Sequence, residues 1–402
     1  MERSALLRNA VVLLVTFLVS SGAFAKGPSP VLPGTWTQIT PGPTDFMDRH
    51  LTPECSGGPV CTGSQAVCGG DETFSFFVKG GTSNNLVVYF EGGGACWDPN
   101  TCINVPTYTR EIDVTTGSLD SAHGIFDLTN PDNPFKDWNW VFIPYCTGDI
   151  HWGSNDATYT GLTGTYLIHH RGFDNFLVVL KWITENIDRP HSIFVSGSSA
   201  GSYGATLGYP YIQQAYPLSK ASLLGDAGNG VVTEQFQTTY INNWNVAPNL
   251  PPFIPGFDQP LADISIADFY TMIAGFYPHR KLAQYTTAWD FDQTFFYNVM
   301  INTNDPSKWA NFVPVWCDWH ARMLSFVHDT AAAAPNYRYY VGPSTPHTIL
   351  ETDRVYTETS AGVAFLDWLA AMVGNQGGTN GHGATPWDNV QCVDCQDPLV
   401  CP

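Results

Sequence analysis

A serine in Gly197-Ser198-Ser199-Ala200-Gly201 stands between an apolar run, His191 to Ser196, and a stretch of small residues, Ser202-Tyr203-Gly204-Ala205, that reads as the start of a helix. Strand, sharp turn and helix around G-x-S-x-G present a hydroxyl as a nucleophile: the glycines permit a strained turn, and the helix N-terminus faces developing negative charge. The expected chemistry is acyl transfer through a covalent intermediate on Ser199. Ser198 and Ser202 are rival hydroxyls off the motif's central place. A tetrahedral intermediate needs backbone N–H donors aimed at its oxygen. Ala200, the residue after the nucleophile, supplies one, and the glycines of Glu91-Gly92-Gly93-Gly94-Ala95, after the apolar run Leu86 to Phe90, supply Gly93 and Gly94 as the others.

A serine nucleophile also needs a base, and the base needs an orienting acid. In a strand-turn-helix hydrolase the chain order is Ser, acid, His. His347 follows the predicted strand Tyr337 to Val341 through Gly342-Pro343-Ser344-Thr345-Pro346, the place a base should occupy. His320 and His328 fall on a predicted helix, His382 falls in a Gly/Asn-rich tail, and His169 and His170 precede the serine. For the acid, Asp290 ends the predicted strand Lys281 to Trp289; position alone leaves Asp292 and Asp226 open.

The elements that must hold these groups are legible as β-rich apolar runs alternating with amphipathic segments, the pattern of a mostly parallel sheet wrapped by helices, an α/β-hydrolase-like α/β fold. Strands are expected over 73–78, 86–90, 138–144, 192–196, 221–224, 281–289 and 337–341, and helices over 173–187, 203–215, 310–331 and 361–372. The Pro- and Asn-rich stretch 227–279 reads as an insertion over one end of the sheet, a cap or substrate wall. With 14 % aromatic and 13 % charged residues, most rings should be core, with Trp97, Trp152 and Tyr203 as candidates to line a groove because they neighbour the motifs.

Arg3 and Arg8, the apolar run Ala10 to Val19 and Ala23-Phe24-Ala25 read as an export signal over 1–25, leaving 26–402 as a single domain. The apolar run is shorter than the roughly 20 residues a membrane span needs. A secreted monomer without a membrane span is the expectation, and a net charge of −19 argues against nucleic acid and anionic membranes as partners. Ten cysteines in an exported chain imply disulfides. Cys96 and Cys102, across a short turn-rich loop, form a plausible pair; zinc is the rival use of Cys392-x-x-Cys395.

Taken together, several stretches resemble the pectin acetylesterase family, which includes the Notum-type carboxylesterases: Phe90-Glu-Gly-Gly-Gly94, Ile143-Pro-Tyr-Cys-Thr-Gly-Asp149, Arg171-Gly172, Ser196-Gly-Ser-Ser-Ala-Gly201, Asp226-Ala-Gly228, Ala288-Trp-Asp-Phe-Asp-Gln293 and His347-Thr-Ile-Leu350. The resemblance implies a Ser199-Asp290-His347 triad, moves the weight onto Asp290, and implies no metal or other cofactor. Two features depart from the family pattern. Cys317-Asp-Trp-His320 imitates a C-x-x-H pattern that plant members carry near their His, which keeps His320 as an alternative base, and Gly94 stands where relatives often have Trp, which implies a wider pocket mouth. The family deacylates substrates as different as acetylated pectin and a lipid-modified protein, so substrate does not transfer with fold. The reading is an O-deacetylase acting on acylated carbohydrate. A lipase-like or polyester-hydrolysing esterase and an inactive glycan-binding relative are the alternatives, and the acidic charge is a poor match for anionic polygalacturonate.

Overall fold

The computed structural model describes residues 32–42, 65–311, 313–374 and 386–393. The expected signal over 1–25, together with Cys55, Cys61, Cys395, Cys401 and His382, lies outside them.

In chain order the strands are β1 (Thr37–Ile39), β2 (Phe76–Lys79), β3 (Asn85–Phe90), β4 (Asn139–Ile143), β5 (Asn155–Gly161), β6 (Gly164–His170), β7 (Ser192–Ser198), β8 (Lys220–Asp226), β9 (Lys281–Thr287), β10 (Tyr337–Gly342), β11 (Thr359–Ser360), β12 (Val363–Ala364) and β13 (Val390–Gln391). The α-helices are α1 (Thr116–Asp120), α2 (Gly172–Asn186), α3 (Ala200–Ala215), α4 (Glu234–Thr238), α5 (Ile266–Phe276), α6 (Phe291–Ile301), α7 (Val313–Ala333) and α8 (Phe365–Val373). Among the described residues one sheet runs β1-β2-β4-β3-β7-β8-β9-β10-β13. It is parallel from β4 to β13 and antiparallel at β1 and β2. This is the expected α/β-hydrolase-like sheet.

The central strands are apolar throughout because both faces are covered. In β3, Leu86, Val88 and Phe90 pack into one buried cluster with α2 and α3, while Val87 and Tyr89 enter a second cluster with α8 on the other face. Helix α3 comes close enough to β3 that a Cβ on Gly201 would lie 2.0 Å from the Phe90 carbonyl oxygen. That contact sets the turn between β7 and α3 against the end of β3.

The expected strands and helices all appear, with shifted ends. The strand ending in Trp289 stops at Thr287, and the last helix starts at Phe365 because Thr359 to Ala364 form a small hairpin. The β5–β6 hairpin and helices α5 and α6 were not expected. Trp97 and Trp152, read as groove candidates, are fully buried; Trp97 packs edge-on to Phe236 and Trp152 stacks on Phe269, so both are core. The Cys96–Cys102 bridge is present, and a second bridge joins Cys68 to Cys146. Cys392 is itself disulfide-bonded, so it offers zinc no free thiolate. Among the described residues no helix is long and apolar enough to cross a membrane.

Candidate active site

Ser199 lies at the C-terminal end of β7, immediately before α3, with φ 56° and ψ −123°. A non-glycine residue at positive φ is strained. Its N–H donates to the Asp226 carbonyl at 2.8 Å, which ties the turn to the end of β8.

Ser199, Ala200, Gly94 and His347 line one cavity. Gly94 has φ +75°, and a Cβ there would fall 2.1 Å from the Thr107 carbonyl oxygen, so glycine is demanded by both backbone and space. An isolated bridge pairs Gly94 with Tyr108: the Thr109 N–H donates to the Gly93 carbonyl, and the Ala95 N–H to the Thr107 carbonyl. This pattern leaves the Gly94 N–H outside the bridge, and the Ala200 N–H, in the first turn of α3, has no carbonyl four residues back within the helix. Gly93 is not among the lining residues; its φ of +150° turns the loop.

Asp290 caps α6 by accepting the Gln293 N–H at 2.9 Å, and each of its carboxylate oxygens lies 2.9 Å from His347 Nδ1. Asp290 is fully buried. Burial alone would lower the His347 pKa, but the Asp290 carboxylate, helped by Asp292 and Asp226, outweighs it and lifts the imidazole to about 9. His347 Nε2 is buried and has no hydrogen-bond partner among the described residues, so no bond to the Ser199 hydroxyl closes in this structure. In unliganded hydrolases such contacts are often long and tighten only with substrate.

The other candidates are engaged elsewhere. His320 stacks on Trp289 at 3.9 Å and its Nδ1 meets the Ala288 carbonyl at 2.6 Å, so it buttresses the strand end that carries Asp290 from outside the cavity. His328 bonds Gln391, His169 bridges Asp71 and Asp156, and His170 is buried between Thr147 and Tyr159. Asp292 influences His347 through its charge, and its own pKa is raised by burial. Asp226 bonds the Ile349 and Leu350 N–H groups rather than the imidazole.

Sequence reasoning named Tyr203, which lines the cavity, and read 227–279 as a cap or substrate wall, but named none of the wall's other side chains. Val231, Val232, Phe236, Trp244 and Ile266 come from the 227–279 stretch, Phe296 and Met300 from α6 and Trp319 from α7. The spacing of Phe296 and Met300, four apart on one helix face, was the signal available. Gln293 was also missed. Its amide donates to Asp290 and to Thr286 while its oxygen accepts the Asn229 N–H, so it joins the acid to the start of the insertion. Asp149 explains two of the family-like stretches. It accepts from Thr147 Oγ1, from the His151 and Gly153 N–H groups and, at 2.7 Å, from the Gly172 N–H. Those bonds hold the loop whose Ile150 lines the cavity.

Residues 61–245 match the pectinacetylesterase family model. Pectin acetylesterase 11 of Arabidopsis thaliana is 29 % identical over 171 residues, 40 % of this chain and 42 % of that protein. The palmitoleoyl-protein carboxylesterase NOTUM of Schmidtea mediterranea is 29 % identical over 132 residues, 31 % of this chain and 24 % of that protein. Its namesake in Mus musculus is 25 % identical over 181 residues, 41 % of this chain and 34 % of that protein. The chain thus spans less than half the length of these relatives, all of them by name carboxylic ester hydrolases. The matched span holds Ser199, Ala200, Gly93, Gly94 and Asp226, and stops short of Asp290 and His347. Residues 61–245 are thus similar to the pectinacetylesterase family, and 31–41 % of the chain is similar to these pectin acetylesterase and NOTUM carboxylesterase sequences.

Proposed function

We propose that this chain is an exported carboxylic ester hydrolase that deacylates an O-acylated carbohydrate through Ser199, His347 and Asp290. The observation that carries the reading is the convergence of Ser199, Ala200, Gly94 and His347 on one cavity, with the far side of the imidazole bound to Asp290. Neutral His347 takes the Ser199 proton at Nε2 as Oγ attacks the ester carbonyl. The resulting oxyanion is met by the N–H groups of Gly94 and Ala200, with Gly93 beside them. Asp290 holds the imidazole and balances its charge while it is protonated. His347 returns the proton to the departing alcohol, which leaves an acyl group on Ser199. Water, deprotonated by His347, then adds to that ester, and the acid and free serine are released. The disulfides support an oxidising compartment.

The cavity offers about 60 Å³, several waters' worth of room, so an acetyl or other short acyl group enters without rearrangement. A second reading, a longer acyl chain, is favoured by the wall itself: Ile150, Phe236, Trp244, Phe296, Met300 and Trp319 offer hydrocarbon and aromatic surface. Half-buried Phe296 and Met300 are the side chains that would swing aside for it. Turnover of nitrophenyl esters of increasing acyl length, with Ser199→Ala as control, decides between them. Preference for acetate supports the first reading and preference for octanoate the second; turnover that survives Ser199→Ala overturns both.

A further inference from the structure

We propose that Asp226, left without a part in the proton relay, is the positioning residue that sets the nucleophile turn and the base loop in register with each other. The inference rests on the hydrolase reading above and adds a residue to it.

Asp226 ends β8, next to β7, and is fully buried. Its main-chain oxygen accepts the Ser199 N–H at 2.8 Å. One carboxylate oxygen accepts the Ser198 hydroxyl at 2.6 Å and the Leu350 N–H at 2.9 Å, and the Ile349 N–H lies within 3.1 Å of both oxygens. The Ser198 oxygen in turn accepts from the Tyr89 hydroxyl at 2.6 Å, and Tyr89 is hydrogen-bonded to Glu351. The chain of bonds therefore joins three pieces of the site: β3, which leads into the glycine loop, the nucleophile turn, and the loop that carries His347.

Two of those pieces hold non-glycine residues in the left-handed region, Ser199 at φ 56° and Thr348 at φ 55°. Such conformations persist only where surrounding structure over-determines them. Asp226 bonds to the strained Ser199 itself and to the two N–H groups immediately after the strained Thr348. A carboxylate accepts through about four lone-pair sites, and this one serves three donors at once. An amide at the same place has a single acceptor oxygen and would turn an N–H₂ toward the remaining donors. Asp226→Asn therefore preserves shape while removing the double clamp, and the displaced quantity is the separation of Ser199 from His347 rather than the cavity that binds the acyl group.

The test is kcat per active site, with sites counted by fluorophosphonate labelling of Ser199 taken to completion, beside KM for a nitrophenyl ester and the thermal midpoint. Asp226→Asn is expected to lower kcat per labelled site by about 100-fold, the scale of an ångström-sized misplacement, with KM changed by less than about threefold. A purely structural role would lower the midpoint and the number of labelled sites while each surviving site turned over normally, and that result overturns the proposal. If Asp226→Asn does not fold, Ser198→Ala carries the test, since it removes one bond of the clamp and leaves Asp226 in place. About a tenfold loss of kcat per site is expected, and an unchanged kcat overturns the proposal. Absence of Ser199-dependent turnover in the unsubstituted protein overturns the hydrolase reading and this inference with it. Normal turnover by the substituted sites overturns this inference alone.

Discussion

Ser199 stands on a turn shaped largely by its nearest neighbours in sequence and tied to Asp226, whereas His347 stands on a turn held by residues from distant parts of the chain. On the side of Ser199, the glycines and small residues around it permit the strand, turn and helix, and Gly201 fits beneath the end of β3 because it lacks a Cβ. On the base side, the bonds that count join Asp290 to His347 across 57 residues and Asp226 to Ile349 across 123. The family match has the same asymmetry, for it covers Ser199 and the glycine loop and stops before Asp290 and His347. A nucleophile turn is local and so travels as a short motif. A base loop can be held by any arrangement that supplies acceptors at the right depth.

Removing one group from each side separates the two turns. Ser199→Ala should lower kcat by about a million-fold, with the thermal midpoint nearly unchanged, because the Ser199 side chain makes no capping bond to its helix. Asp290→Asn should cost about 10⁴-fold, since the amide favours the wrong tautomer of His347. The cap of α6 should survive, since an asparagine oxygen accepts the Gln293 N–H as well as a carboxylate does, so the thermal midpoint should change little. Asp292→Asn, two residues along in the first turn of α6 and without a bond to the imidazole, should leave kcat at its alkaline plateau within about threefold. A large loss from Asp292→Asn with a small one from Asp290→Asn would reverse the assignment of the acid. Chromogenic ester turnover and a thermal melt measure all three.

Legibility follows the same division. The turn at Ser199 and the glycine loop before it could be read from sequence as turns, because steric demands there select small residues over four or five positions. Asp290 could not be separated from Asp292 or Asp226 by position, because what distinguishes them is which carboxylate the His347 ring meets in space. His320 is the converse case. Its Cys-x-x-His spacing suggested a base, yet its ring is spent on Trp289 and the Ala288 carbonyl. The cavity wall was the least legible part, since Phe236, Trp244, Met300 and Trp319 carry no motif and meet only after α6 and α7 have packed against the 227–279 stretch.

The pH dependence sharpens the base side. With His347 lifted to about 9, about one molecule in a hundred holds a neutral imidazole at pH 7, so kcat/KM should rise about tenfold per pH unit from 6 to 8 and level off above 9. Asp292→Asn should move that rise to lower pH, because it removes one of the charges that favour the imidazolium. The same interaction affects stability with the opposite sense. His347 has a higher pKa folded than unfolded, so its contribution is complete below pH 6.5 and is lost as pH rises through about 9. The base is thus released for catalysis over the range in which its ion pair stops stabilising the loop. A rate profile flat between pH 6 and 8 would exclude a base held this tightly by its acids.

The smallest effect concerns the wall that neither motif describes. Met300, half-buried on α6 and four residues after Phe296, can accept a larger ring without losing a polar bond. Met300→Trp should fill part of the roughly 60 Å³ beside Ser199. If the natural acyl group is short, acetate turnover should stay within about twofold while octanoate turnover falls by about tenfold, the discrimination a few methylenes carry in an apolar pocket. Equal losses on both esters would mean that the added ring disturbs Gln293 and, through it, Asp290. The wall would then belong to the support of the base as much as to the choice of acyl group, and the division between the two halves would have to be drawn on the far side of α6.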